Sequence, residues 1–170
     1  GDVYKRQELD KIKKDLYNAN QDLINKKLVI QSFGNVSVRF EDFILIKPSG
    51  VNLSKLDYKS MVFVNLNDKK DTGSFKPSSD TPTHIELYKK YNDIQSIVHT
   101  HSPYATSWAQ AGSPIPCFGT THADFWSDKI PITRKLKKKE IEAHYEKNTG
   151  LVIIETLEKL NTIPLDLSLI

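Results

Sequence analysis

The sequence predicts a layered domain of the α/β or α+β class, and three observations carry that prediction. Stretches with apolar residues at helical spacing alternate with short β-branched runs. Two of those runs are separated only by Glu41-Asp42, which predicts an early antiparallel hairpin and a sheet that is not purely parallel. The length of 170 residues matches about one domain at roughly 100–200 residues each, and 38% apolar with 26% charged residues is the composition of a chain that buries a core.

Leu9, Ile12, Leu16, Ala19 and Leu23 recur at spacings of three and four, so the first element is an amphipathic helix. Gly1–Gln7 fits no such pattern and is set outside the domain as a non-native or disordered segment, which leaves residues 8–170 as the domain. Ser32-Phe33-Gly34-Asn35 is a turn. Val36–Phe40 and Phe43–Ile46 are the hairpin strands, and Lys47-Pro48-Ser49-Gly50 is a loop. Met61–Leu66 is a third strand. Ser78-Ser79-Asp80-Thr81-Pro82 starts a helix that runs to about Tyr91, with a polar cap and proline in its first turn. Ile94–Thr100 is a strand and Pro103–Ala111 a helix. Gly112–Pro131 is irregular. Lys137–Tyr145 and Asn148–Leu160 read as two helices. Leu165–Ile170 opens as an apolar strand, so the chain is expected to stop short of the end of its domain.

Charge and composition exclude several classes of function. A net charge of +3 from 24 basic and 21 acidic residues is too balanced for a nucleic-acid binder, yet a modest positive excess suits an anionic small substrate. No apolar run of about 18 residues exists to cross a membrane, and the polar N-terminus shows no secretory signal. Cys117 is the single cysteine, so no internal disulfide forms. The expectation is a cytoplasmic protein with neither membrane nor nucleic-acid partner.

His99-Thr100-His101 is the sharpest local feature. Two histidines two apart on a strand point to one face, where a single metal can reach both imidazoles. Read alone, the spacing is weak, and two ordinary buried or surface histidines are the plainer reading. Asp80 stands at a helix start, where a carboxylate serves as a cap or as a further ligand. Ser78 and Ser79 stand at the same helix start, where hydroxyls and backbone N–H groups can hold a phosphate. Lys47, Ser49 and Gly50 offer a charge, a hydroxyl and an open backbone, and each also has an ordinary loop role. Asp124, in the polar loop Gly119–Asp124, is either a general acid/base or a solvated aspartate.

Five motifs occur in order: Gly34-Asn35-Val36-Ser37; Ile46-Lys47-Pro48-Ser49-Gly50-Val51; Lys76-Pro77-Ser78-Ser79-Asp80-Thr81-Pro82-Thr83-His84; Ile97-Val98-His99-Thr100-His101-Ser102; and Gly119-Thr120-Thr121-His122-Ala123-Asp124. Together they resemble the class II aldolase/epimerase family, from about Glu8 to the end of the chain. That resemblance implies a three-layer α/β/α fold around a central mixed, mostly antiparallel sheet. It implies zinc, or another divalent metal, on Asp80, His99 and His101. It implies that Asn35, Lys47, Ser49, Gly50, Ser78 and Ser79 hold a sugar phosphate, with Thr120 and Glu146 as further polar positions. Asp124 becomes the proton donor or acceptor, acting across a subunit boundary in a homotetramer.

Within the family, Asp80 after the paired serines and Thr121-His122-Ala123-Asp124 resemble the epimerases more than the fuculose-phosphate-type aldolases. The implied reaction interconverts L-ribulose 5-phosphate and D-xylulose 5-phosphate by zinc-assisted cleavage and re-addition at C3–C4, in pentose catabolism. The alternatives are a class II sugar-phosphate aldolase, or an inactive fragment or binding module. The family's third zinc histidine, in a His-x-His-Gly-like strand, has no match in this sequence. His84, His122 and His144 read as supporting or surface residues, Cys117 as packing, and Trp108 and Trp126 as core or subunit contact.

Overall fold

The computed structural model describes residues 2–72 and 74–160. The element order is α1 (Asp2–Asn25), β1 (Asn35–Phe40), β2 (Phe43–Ile46), two short 3₁₀ turns (Leu53–Lys55 and Tyr58–Ser60), β3 (Val62–Asn65), β4 (Asp71–Thr72), α2 (Thr81–Lys90), β5 (Ser96–His99), α3 (Pro103–Gln110), α4 (Thr120–Ala123) and α5 (Lys138–Lys159). The strand expected over Leu165–Ile170 lies outside the described residues. Among those described, no helix is long and apolar enough to cross a membrane.

The chain forms two compact units, Gly1–Thr81 with Gln95–His101, and Pro82–Ile94 with Ser102–Ile170. The first holds a five-stranded sheet in the order β4-β3-β2-β1-β5. Each pairing in it is antiparallel. The hairpin turns where the sequence predicts, with Glu41 in the left-handed region at φ 51°. On β1, Ser37 opposes Ile46 and Asn35 opposes His99, so the register alone brings the Gly34–Ser37 and His99–His101 motifs side by side. Helix α1 lays Leu16 and Leu23 into the core with Val29, Val36, Leu45, Leu53, Leu56 and Met61.

One polar residue belongs to that apolar face. Asn20 is fully buried, donates to the Leu16 carbonyl at 2.8 Å and accepts from the Val36 N–H at 3.1 Å. A helix side chain thus satisfies a strand amide and ties α1 to the start of β1. Segment 2–7, set apart on its sequence, is helical: it continues α1, where each added residue gains one backbone hydrogen bond. The side chains of residues 3–7 stay outside the core, with Val3 and Tyr4 exposed and Lys5 paired to Glu41 at 2.9 Å.

The second unit is mostly helical. Gly150 of α5 packs so closely on the backbone of α2 that a Cβ there would lie 2.9 Å from the Thr83 carbonyl oxygen. The two helices predicted across 137–160 run as α5 with an interruption at His144, whose backbone is extended (φ −151°, ψ 77°). Arg134 reaches α5 through Glu140, at 2.8 and 2.9 Å, and through Glu155 at 2.8 Å.

Candidate functional site

The site residues of the first unit gather because two loops run together beside the end of β1. Pro48 and Pro77 form an isolated antiparallel bridge. The Ser49 N–H donates to the Lys76 carbonyl at 2.9 Å, and the Ser78 N–H to the Lys47 carbonyl at 3.0 Å. This zips the Lys47–Gly50 loop to the Lys76–Asp80 segment. The Thr81 N–H and hydroxyl both donate to the Ser78 carbonyl and fix the start of α2.

Asp80 is the centre of the resulting cluster. Its Oδ2 accepts from Asn35 Nδ2 at 2.7 Å and lies 3.0 Å from His99 Nδ1. Ser78 Oγ accepts from Asn35 Nδ2 at 3.3 Å. A carboxylate only accepts, so the Asn35 atom facing it is the amide nitrogen and the remaining atom is the oxygen. That Oδ1 is buried and has no partner among the described residues. A buried acceptor left unpaired costs about 1–3 kcal/mol, which an arriving hydroxyl, ammonium or water recovers.

Lys47 is buried, with 2% of its surface exposed. Burial pushes its ammonium below the ordinary lysine range, and the charge of Asp80 pulls the other way. A buried cation beside exposed Ser49, Gly50 and Ser79 suits an anionic group. Gly50 has φ 69°, and nothing lies within 4 Å of where its Cβ would be, so the backbone there is open to approach.

His101 lies ring to ring with His99, centroids 4.8 Å apart. Burial and the neighbouring His99 lower its pKa, against an opposing pull from Asp80. The donor set of one carboxylate and two imidazoles suits a small divalent ion. The 3.0 Å between Asp80 Oδ2 and His99 Nδ1 fits two ligands on one ion, each bound at about 2.0–2.2 Å. Among the described residues, however, no group of three His, Cys, Asp or Glu side chains is disposed to hold a metal. His101 stands beside the Asp80–His99 pair, with its ring facing His99 and Phe33.

The other predicted residues belong to the second unit. Thr120 opens α4 and Asp124 caps its end, both exposed, with the Asp124 N–H donating to the Thr120 carbonyl at 2.8 Å. Glu146 contributes its backbone carbonyl to the Thr83 hydroxyl. His122 Nε2 lies 3.0 Å from the Asp128 carbonyl and ties down its loop. None of these lines the cavity of about 180 Å³ formed by Trp108, Ile115, Ile130 and Ile132 with their neighbours. Two residues around the first-unit cluster were not singled out from the sequence. Asn20 was marked only by a polar side chain on the apolar face of α1, and Phe33 only by an aromatic ring before a glycine turn.

The chain matches the family model described as Class II Aldolase and Adducin N-terminal domain over residues 14–162. It is 45% identical over 157 residues to L-ribulose-5-phosphate 4-epimerase UlaF of Salmonella paratyphi C (strain RKS4594), a match covering 91% of this chain and 69% of that protein. Among solved structures, an L-fuculose 1-phosphate aldolase aligns with a TM-score of 0.69 at 22% identity, covering 83% of this chain and 68% of the other. A sugar-phosphate aldolase from Thermotoga maritima aligns at 0.65 and 19% identity, covering 92% and 79%. At such identities the structural likeness speaks for the fold alone.

Proposed function

The chain belongs to the class II aldolase and adducin N-terminal domain family, and on that premise we propose that it is an epimerase interconverting L-ribulose 5-phosphate and D-xylulose 5-phosphate. The observation that carries the reading is the cluster of Asn35, Ser78, Asp80 and His99, with buried Lys47 beside it, together with the 45% identity to a protein named for that epimerisation.

Lys47, Ser49, Gly50, Ser78 and Ser79 grip the phosphate, with Lys47 giving the charge and Gly50 the close backbone approach. Asp80, His99 and His101 would hold a divalent ion, zinc or another. A Lewis acid held there would stabilise negative charge while C3 and C4 are apart. Asp124, exposed on its loop, takes the proton of the C4 hydroxyl as the C3–C4 bond breaks, and protonation after re-addition from the other face restores the hydroxyl. The phosphate grip retains the aldehyde fragment meanwhile, so recapture is intramolecular in effect. An exposed acid/base fits the mode in which Asp124 of one copy serves the site of another within a homotetramer. The epimerisation serves cytoplasmic pentose catabolism, such as that of arabinose.

The test is conversion of L-ribulose 5-phosphate, with D-xylulose 5-phosphate as the measured product. Asp124→Asn is expected to slow it at least about a hundredfold while bound metal is unchanged. Free aldehyde product would make the protein an aldolase, and no turnover in the unaltered protein would make it a binding module. Full activity in the variant would remove Asp124 from the chemistry.

A further inference from the structure

Beside the buried lysine the sheet has a gap, and α1 fills it. In the hairpin Phe40 opposes Phe43 and Ser37 opposes Ile46, so the same register would set Val36 against Lys47. The Arg39 N–H donates to the Gln95 carbonyl, on the β5 side. Backbone groups turn to alternate neighbours along a strand, so those of Val36 turn to the β2 side. There β2 has already ended, at Ile46. The Lys47 carbonyl accepts instead from the Ser78 N–H at 3.0 Å, as part of the zip between residues 47–50 and 76–80. The acceptor that meets the Val36 N–H is Asn20 Oδ1, at 3.1 Å.

Asn20 is held for that place. It is fully buried, and its Nδ2 donates to the Leu16 carbonyl at 2.8 Å. A carbonyl only accepts, so the amide nitrogen faces Leu16 and the oxygen is fixed toward Val36. The next residue of α1 holds the other side of the gap. Gln21 Nε2 donates to the Leu53 carbonyl at 2.5 Å, just beyond the Lys47–Gly50 loop. The bond to Val36 also fixes the strand end from which Asn35 reaches Ser78 and Asp80.

We propose that Asn20 is a positioning residue for the anion grip: its side-chain oxygen takes the place in the ladder that register gives to the Lys47 carbonyl, and so lets residues 47–50 leave the sheet and close on residues 76–80. The inference rests on the phosphate-holding role proposed for Lys47 and its loop. Without the Asn20 oxygen the buried Val36 N–H lacks an acceptor, and the one its register offers is the Lys47 carbonyl. Drawing that carbonyl into the ladder takes it from Ser78 and opens the zip.

The test compares the full chain with Asn20→Leu, Asn20→Asp and Leu23→Ala. Leu23→Ala weakens the packing of α1 without touching Val36. Two readings are taken: the affinity for inorganic phosphate by calorimetric titration, and the hydrogen exchange of the Ser78 amide relative to that of Arg39 in the same molecule. Asn20→Leu is expected to weaken phosphate at least about tenfold and to raise the relative exchange of Ser78 by a similar factor. Leu23→Ala is expected to lower Tm while both readings stay within about threefold of the unaltered protein. At about pH 5 the buried carboxyl of Asn20→Asp is protonated, accepts from Val36 and donates to Leu16, so it should restore both readings to those of the unaltered protein at that pH. Should Asn20→Leu fail to fold, Asn20→Ser takes its place, since its hydroxyl can bond back to the Leu16 carbonyl but is too short for Val36. A lowered Tm with both readings unmoved would make Asn20 merely structural and overturn the proposal. So would equal losses in Asn20→Leu and Leu23→Ala. Selectively faster Ser78 exchange in a protein that binds no phosphate, altered or not, would uphold Asn20 as what closes the loops and overturn the phosphate grip beneath it.

Discussion

In the first unit, Asn35, Ser37, Lys47 and Ser78 are all buried, and Asn35, Ser78, Asp80 and His99 bond to one another at the end of a sheet. In the second, Thr120 and Asp124 are exposed on a one-turn helix. There the polar contacts engage the helix scaffold instead, as in Arg134 with Glu140 and Glu155. The contrast separates two ways of building chemistry. Buried polar groups must satisfy each other, so their geometry is set once strand register forms. Exposed groups are held by little and act only when a further surface supplies the rest. The first arrangement suits recognition of an anionic ligand. The second leaves its groups open, as the role proposed for Asp124 requires.

The contrast breaks most readily at the glycines. Gly34 is left-handed at φ 73°, and an added methyl would strike Val29 and the His99 backbone under the site turn. Gly34→Ala should cost about 3 kcal/mol or more in urea denaturation and scatter the cluster. Gly150 is also tight, with the Thr83 oxygen at 2.9 Å, but it sits in a helix, where alanine recovers about 1 kcal/mol of propensity. Gly150→Ala should therefore cost less. If it proves the worse of the two, the first unit is not the more tightly determined.

Lys47→Met sharpens the comparison with a smaller effect. It should weaken binding of inorganic phosphate about tenfold or more, read by calorimetric titration, since a buried cation is lost from the grip. Its Tm should hold within about 3 °C, because burial already opposes the ammonium and Asp80 keeps its contacts with Asn35 and His99. Unchanged phosphate affinity would take Lys47 out of the site.

Much of this was legible beforehand, and the failures have physical causes. The apolar spacing of α1, the Glu41-Asp42 hairpin and the proline at the start of α2 are local signals, and the elements stand where those signals put them. Strand β4 could not be read, because Asp71 and Thr72 are exposed and owe their conformation to pairing with β3. Helix α4 is a single turn inside a proline- and glycine-rich stretch, without apolar period. The break in α5 falls at His144, slightly before the expected boundary. At the site, sequence order drew attention to Asn35, Ser78, Asp80 and His99 but not to which of them touch. That Asp80 faces Asn35 follows from the pairing of Asn35 with His99, a long-range register that no local spacing encodes. The burial of Lys47 was hidden for the opposite reason, since lysine is ordinarily outside.

The smallest expected effect lies in the second unit, in the pH dependence of Arg134 with Glu140. Glu140 accepts from Arg134 Nη1 at 2.9 Å, from Nη2 at 2.8 Å, and from the Lys137 N–H at 2.6 Å. The guanidinium first, and then that backbone amide, hold its carboxyl down at about 2 from an ordinary 4.5. A carboxylate whose pKa is lower folded than unfolded binds fewer protons in the native state, so its contribution is present above about pH 4.5 and is lost as pH falls through about 2. Glu140→Gln should flatten that part of the acid unfolding curve. Solvent screens the pair, so the drop in Tm at neutral pH should stay under about 4 °C. A steeper loss at neutral pH than in acid would mean that Glu140 acts by capping α5 and not by its charge. The second unit would then owe its order to backbone satisfaction, as the first does, and the contrast between the two would narrow to burial alone.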